Sequence, residues 1–120
     1  MRQTKMSPFD FLLVAHLLGD FPLQTSWMAM NKANKWLPLL THSILYTGTI
    51  GIISFVGFGG FAAWQLFIIF LGHVLLDRRT SVAWWVQHIM HTDLSKNQWL
   101  GIMVDQVFHV TILALILQVK

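Results

Sequence analysis

The sequence predicts an all-α integral membrane bundle of about four transmembrane helices, with a kinked first helix and an interfacial segment between the third and fourth. Three observations predict it. Apolar residues make up 55% of the chain and charged ones 11%, and the mean hydropathy is +0.59, which points away from an ordinary soluble domain. A histidine and a carboxylate recur four residues apart inside apolar stretches, as His16/Asp20, His73/Asp77 and, reversed, Asp105/His109; that spacing puts both side chains on one helical face. Lys and Arg gather in short groups at predicted helix ends, which fits headgroup contact and topology rather than nucleic-acid binding.

The 120 residues are read as a single membrane-embedded domain, 1–120. Without cysteine, disulfides and thiolate metal sites are excluded. All five acidic residues are Asp, at 10, 20, 77, 93 and 105. Three of them lie inside apolar segments, where an unpaired carboxylate costs at least ~2.5 kcal/mol. The N-terminal stretch does not read as a cleavable signal, because its apolar run holds His16 and Asp20 and no small-residue cleavage site follows.

Taken in order, Ser7-Pro8-Phe9-Asp10 is a helix start. Ser7 suits the cap, Pro8 the first helical position and Asp10 the capping-box carboxylate. The first helix runs to Pro22, which should kink or end it. It spans a bilayer only if it continues, kinked, toward Met30. Residues 31–35 read as a polar loop. Pro38 starts the second helix, which runs past His42 and Tyr46 to about Val56, and residues 57–60 are a tight Gly-rich connection. The third helix runs from Phe61 to about Leu76. Residues 81–97 form a connecting segment with Trp84 and Trp85, plausible in the membrane interface. Ser95-x-x-Gln98 is a second capping-box pattern, and the fourth helix runs from there to about Val119.

If the helices alternate in direction, a rise of about 1.5 Å per residue places His16, Asp20, His42, His73, Asp77, Asp105 and His109 in one half of the bilayer. The connections on that side carry five basic residues against three on the other. The positive-inside rule then puts the shared site in the cytoplasmic half, with both termini outside.

Four imidazoles and three carboxylates are a nitrogen and oxygen donor set that suits zinc, and also manganese or iron. Seven donors exceed one tetrahedral site, so one or two ions are expected, and a pair of ions can activate water and clamp a phosphoryl group. Lys32, Lys35, Arg78 and Arg79 lie on the same side and could hold a phosphate. Gln24, Asn31, Tyr46 and Gln106 are candidates for orienting ligands or substrate. A lone His in an apolar helix is more often a packing residue than a ligand, and interhelical polar glue is the competing use for all seven. The repetition of the pairs in so uncharged a chain favours metal. His88-x-x-His91-x-Asp93 falls in the exposed connection and reads as solvated.

The elements Ala15-His16-Leu17-Leu18-Gly19-Asp20-Phe21-x-x-Gln24, Asn31-Lys32, Thr41-His42, Gly72-His73-Val74-Leu75-Leu76-Asp77 and Asp105-Gln106-Val107-Phe108-His109 resemble the bacterial and phage membrane proteins of domain of unknown function 3307. The resemblance covers nearly the whole chain and implies a bacterial inner-membrane, multi-pass location. It implies no reaction. The His-x-x-x-Asp pairs are also distantly similar to those of zinc-dependent phospholipase C, the P1-type nucleases and the inner-membrane metal-dependent hydrolases controlled by the LexA repressor. That similarity implies metal-dependent hydrolysis of a phosphoester.

The leading expectation is therefore a membrane hydrolase that holds divalent metal, takes a lipid or lipid-linked phosphoester from the bilayer and uses Asp105 or Asp20 as general base. Alternatives are a proton or metal-ion transport module, a b-type cytochrome with axial ligands among the four His, and a small membrane interaction protein. A chain this short has little surface to enclose a large substrate, so a homodimer is plausible.

Overall fold

The computed structural model describes residues 6–20, 22, 25–32, 34–78, 80–93 and 95–119. Gln24 and Arg79, and the terminal charges Arg2, Lys5 and Lys120, lie outside them. Among the described residues every regular element is a helix: α1 (Pro8–Asp20), α2 (Ser26–Asn31), α3 (Trp36–Phe58), α4 (Ala63–Asp77), α5 (Thr80–His88) and α6 (Gln98–Gln118). The long helices close a ring, α1 on α3, α3 on α4, α4 on α6 and α6 on α1, while α2 lies on α3 and α5 on α4 and α6.

The start of α1 has the reciprocal cap its sequence predicts. Ser7 N–H donates to Asp10 Oδ2 at 2.9 Å, and Asp10 N–H donates to Ser7 Oγ at 3.2 Å. The kinked continuation toward Met30 does not form. Helix α1 stops at Asp20, Pro22 sits in a turn, and Thr25 opens a separate six-residue helix by accepting the Met28 N–H on its hydroxyl. Proline has no N–H to donate and its ring clashes with the preceding turn, so the break is complete rather than a bend. In α3, Pro38 falls in the first turn, where its missing N–H would have had no partner. That helix ends at Gly59, whose φ of 91° is the left-handed conformation a side chain resists.

The second capping box also fails. Asp93 takes both the N–H and the hydroxyl of Ser95, at 2.9 and 2.6 Å, and these bonds hold its carboxyl below the usual carboxylate value. With Ser95 so engaged, Asn97 becomes the cap residue of α6 and makes no side-chain cap bond. The predicted connecting segment holds a real helix, α5, whose Val82 and Val86 pack with Leu76 against partly buried residues of α6.

Two helices, α3 and α6, are long and apolar enough to cross a membrane, not four. The fifteen residues of α4 and thirteen of α1 extend only about 20 Å at 1.5 Å per residue, short of a ~30 Å hydrocarbon layer. Large apolar side chains line the outside, including Phe55, Val56, Phe67, Leu75 and Leu115. The polar and charged side chains of the His/Asp pairs are inside.

Core residues divide by height. Leu12, Ala15, Tyr46, Ile50, Ile69, Leu113 and Ile116 form the apolar end of the bundle. The other end receives the C-termini of α1 and α4 and the N-terminal parts of α3 and α6, and there the His/Asp pairs meet. Gly19 permits the approach of α1 to α3: a Cβ at that position would stand 3.0 Å from Tyr46 Cδ2 and 3.4 Å from its Cα. Gly19→Ala should therefore displace Tyr46 and lower stability by about 1–3 kcal/mol. Gly48→Ala, where nothing lies within 4 Å, should be neutral or slightly stabilising; thermal unfolding of both variants in mild detergent checks the pair.

Candidate metal centre

The six residues of the three pairs and His42 all meet at the polar end, each no more than 2% exposed. Asp20 closes α1, His42 lies nearly two turns into α3, His73 and Asp77 occupy the last turn and a half of α4, and Asp105 and His109 face inward from α6. Donor atoms of Asp20, His42, His73 and Asp77 lie within 4.8 Å of one another, and so do those of Asp20, Asp105 and His109.

The first set brings two ring nitrogens and two carboxylate oxygens together, and four of its six donor-to-donor edges are fixed by nitrogen-to-oxygen distances. His42 Nε2 lies 3.1 Å from Asp20 Oδ1 and 3.0 Å from Asp77 Oδ2, and His73 Nε2 lies 3.0 Å from Asp77 Oδ2 and 3.9 Å from Asp20 Oδ1. Ligand bonds of about 2.0–2.1 Å around a tetrahedral ion imply donor-to-donor edges of about 3.3–3.4 Å. The mean of the four distances falls at that length.

The protons of this end can be placed by asking which atoms can only accept. The Asp105 backbone carbonyl accepts from His109 Nδ1 at 2.7 Å. In a neutral ring that leaves a lone pair on His109 Nε2, which faces His73 Nδ1 at 3.1 Å. His73 must then carry its proton on Nδ1 and present a lone pair on Nε2, 3.0 Å from the Asp77 carboxylate. With neutral imidazoles one contact along this chain sets lone pair against lone pair, and His73 Nε2 makes no hydrogen bond among the described residues. A second ring proton on His109, whose Nε2 also lies 3.3 Å from Asp77 Oδ1, resolves the conflict, and so does a cation between His73 Nε2 and Asp77. The cation also leaves each ring in the role a ligating imidazole has, one nitrogen toward the metal and the other held by a neighbour. His42 is less complete: its Nδ1 has no partner among the described residues.

Charge agrees with this reading. The carboxylates of Asp20, Asp77 and Asp105 carry three negative charges, and the buried Lys32, its Nζ 3.2 Å from Asp77 Oδ2, carries one positive. With all four imidazoles neutral the difference is two negative charges, which one divalent cation balances; each protonated ring facing a carboxylate lowers it by one. The residues present thus fit a divalent metal ion.

His16 is not placed as a ligand. Asp20 Oδ2 can only accept, so the Gln106 amide presents its nitrogen to it, at 3.2 Å. The amide oxygen then faces His16 Nε2 at 2.6 Å, and that nitrogen must carry the proton. His16 Nδ1 is left to accept from the Tyr46 hydroxyl at 2.7 Å. Both ring nitrogens are taken, so His16 acts through Gln106 to fix Asp20. Tyr46 in turn stacks on His73, with ring centres 4.0 Å apart.

The expected phosphate-holding group is dispersed. Lys32 is folded inward onto Asp77, because the short helix α2 turns the polar segment back over the cluster; no spacing in the sequence signals this. Lys35 is exposed at the start of α3. The Arg78 guanidinium lies over the Trp36 ring, 4.4 Å from its centre. Gln106 is inside the cluster rather than at a substrate surface, and Asn31 donates to the Trp27 carbonyl. In the outer segment His88 bonds the Trp84 carbonyl and stacks on its ring, and among the described residues His88, His91 and Asp93 do not bring their donor atoms together.

A helical protein with two potential membrane spans and a buried His/Asp cluster able to hold a metal ion is the class that fold and site define. The chain belongs to the family described as protein of unknown function, DUF3307, whose model matches residues 9–120. No curated protein and no solved structure matches it, so the distant similarity to phospholipase C and the metal-dependent hydrolases is not shown.

The proton placement predicts that His16 is the Nε2–H tautomer, readable from its ¹⁵N shifts in detergent. Tyr46→Phe leaves a buried Nδ1 acceptor without a donor and should cost about 1–3 kcal/mol of stability.

Proposed function

We propose that the protein is a membrane-embedded enzyme that hydrolyses a phosphoester with one divalent ion, zinc by the character of the donors and manganese or iron next. The observation that carries the proposal is the set Asp20, His42, His73 and Asp77: two nitrogens and two oxygens at tetrahedral spacing in a buried environment two charges negative when the rings are neutral. Such an ion supplies Lewis acidity toward a phosphoryl oxygen and lowers the pKa of water.

The chain's own residues divide the remaining work. Asp20 and Asp77 hold the ion from opposite helices. Gln106 and His16 keep Asp20 in place, and His109 does the same for His73. Asp105 lies beside Asp20 but outside the tetrahedral set, and this makes it the better placed general base of the two acids. Lys32, buried against Asp77, puts a positive charge beside the set, where a phosphoryl oxygen would gain from it. The outward apolar faces of α3 and α6 support a bilayer location with a lipid or lipid-linked substrate, and the family resemblance favours the bacterial inner membrane. Lys32 is drawn into the cluster, so it no longer counts toward the positive-inside argument, and the orientation rests on fewer charges.

A second reading has one observation in its favour. The set already offers four protein donors and every one is buried, whereas catalytic sites keep a position open. Ion storage or transport through the same cluster follows from that closure.

Elemental mass spectrometry of untagged protein in mild detergent should find one ion per chain. His73→Ala and Asp77→Asn should abolish it, while His16→Ala should keep the site with affinity lowered about 10–100-fold. Folded wild-type protein without metal would sink both readings. Metal-loaded protein should turn over phosphodiester or phospholipid substrates, and Asp105→Asn should lose turnover while retaining the ion. Metal-driven ion flux in liposomes without any turnover would instead establish the second reading.

A further inference from the structure

We infer that the chain is built of two equivalent halves, each with a cation position, and that the Gln106 amide fills one position so that a divalent ion enters only the other. The inference rests on the metal reading above and adds to it the reason that one His-x-x-x-Asp pair of two is used.

The halves are α1 to α3 and α4 to α6. His16, Asp20 and Trp27 recur 57 positions on as His73, Asp77 and Trp84. Trp36 and Ile53 recur 63 positions on as Trp99 and Ile116, and in that register His42 answers to Asp105, Ser43 to Gln106 and Tyr46 to His109. Burial keeps the same registers. Leu12, His16 and Asp20 are buried in α1 as Ile69, His73 and Asp77 are in α4. His42, Tyr46 and Ile50 are buried in α3 as Asp105, His109 and Leu113 are in α6. Packing repeats as well: α1 lies on α3 as α4 lies on α6, and α3 lies on α4 as α6 lies on α1. Equivalent helices run the same way, so the two halves are related by half a turn about an axis along the bundle. Side-chain contacts follow that relation. His16 Nδ1 meets the Tyr46 hydroxyl at 2.7 Å, and His73 Nδ1 meets His109 Nε2 at 3.1 Å. Between halves, the Tyr46 ring lies 4.0 Å from His73 and the His109 ring 5.5 Å from His16.

The halves part at the register of Ser43 and Gln106. Gln106 bridges the pair of the first half, its amide oxygen 2.6 Å from His16 Nε2 and its nitrogen 3.2 Å from Asp20 Oδ2. Ser43 holds the equivalent place in α3 and is too short to bridge His73 and Asp77. It is fully buried, and neither its Oγ nor His73 Nε2 has a hydrogen bond among the described residues. The gap between imidazole and carboxylate is thus filled by an amide in one half and left to a cation in the other. Around Gln106 stand His16, Asp20 and Asp105. His16 Nε2 lies 3.8 Å from Asp20 Oδ2, and donor oxygens of Asp20 and Asp105 lie within 4.8 Å of each other. One imidazole and two carboxylates are donors for a divalent cation. Without the amide, His16 can carry its proton on Nδ1, because the Tyr46 hydroxyl accepts as well as donates, and Nε2 then presents a lone pair.

The test uses the full untagged chain in mild detergent, with zinc as the probe and bound metal counted by elemental mass spectrometry. Wild type should hold one ion and His73→Ala none. His73→Ala/Gln106→Ser should hold one again, and adding His16→Ala should remove it. A Gln106 that only braces Asp20 predicts further loss in place of this recovery. A folded double variant without metal, or an ion that survives His16→Ala, would overturn the inference while wild type keeps its ion. Wild type without an ion would instead end the metal reading, and this inference with it. Should the double variant not fold, Gln106→Ser alone decides. Zinc should then carry the His16 Nε2 ¹⁵N signal from its protonated to its metal-bound position, a shift absent from wild type. A His16 signal that zinc leaves unchanged in Gln106→Ser overturns the inference.

Discussion

Three carboxylates buried among apolar helices set the terms for the rest of the molecule. Asp20, Asp77 and Asp105 are each at most 2% exposed, and an isolated carboxylate in such surroundings would be strongly unfavourable. Their compensation accounts for features that otherwise look unrelated. Lys32 leaves the polar loop to reach Asp77. His42 and His73 turn their Nε2 atoms toward the acids, not toward backbone carbonyls. Gln106 orients its amide to Asp20. One of the three charges is answered by Lys32. With neutral imidazoles the remaining two match a divalent cation, and this makes a metal an economical partner for the cluster.

The bundle is built inside out to suit. A soluble helical domain buries its apolar stripe and solvates its charges. Here α3 and α6 carry apolar residues on outward faces while the His/Asp pairs point in. The alternating helices bring two C-terminal and two N-terminal portions to the same end, so side chains from four elements reach one point without long arms. The apolar cluster from Leu12 to Ile116 holds the other end. Close contact of α1 with α3 at Gly19 keeps Tyr46 between the two halves, where its hydroxyl meets His16 and its ring supports His73.

The convergence of the pairs was legible in the sequence because it depends only on periodicity. A spacing of four and alternating helices suffice to put six side chains together, and the depth of His42 in its helix adds the seventh. What stayed illegible depends on contacts between elements. His16 looks identical to His73 in pattern, each a histidine four residues before an aspartate, yet His16 has both nitrogens engaged by residues 30 and 90 positions away. No local rule separates the two. Lys32 reads as a loop cation because its burial follows from how α2 folds back. The number of spanning helices was overcounted for a related reason. Hydropathy sees α1 and α4 as apolar, but their polar ends belong to the cluster and cut their length. The Ser95 cap failed because Asp93, two residues earlier, is a stronger acceptor than anything the pattern weighed.

The geometry also bears on whether one ion or two could occupy the cluster. The second donor set needs Asp20 and His109. Asp20 is already an edge of the tetrahedral set, and His109 Nε2 is the acceptor that fixes His73. An ion on His109 would take that lone pair and release His73 from its orientation. It would also carry the cluster from neutral to two charges positive, in a region where Lys32 already stands close. A second ion therefore gains a place only alongside an anion of two negative charges, and a phosphate monoester is such a group. On both counts these donors suit one ion better than two.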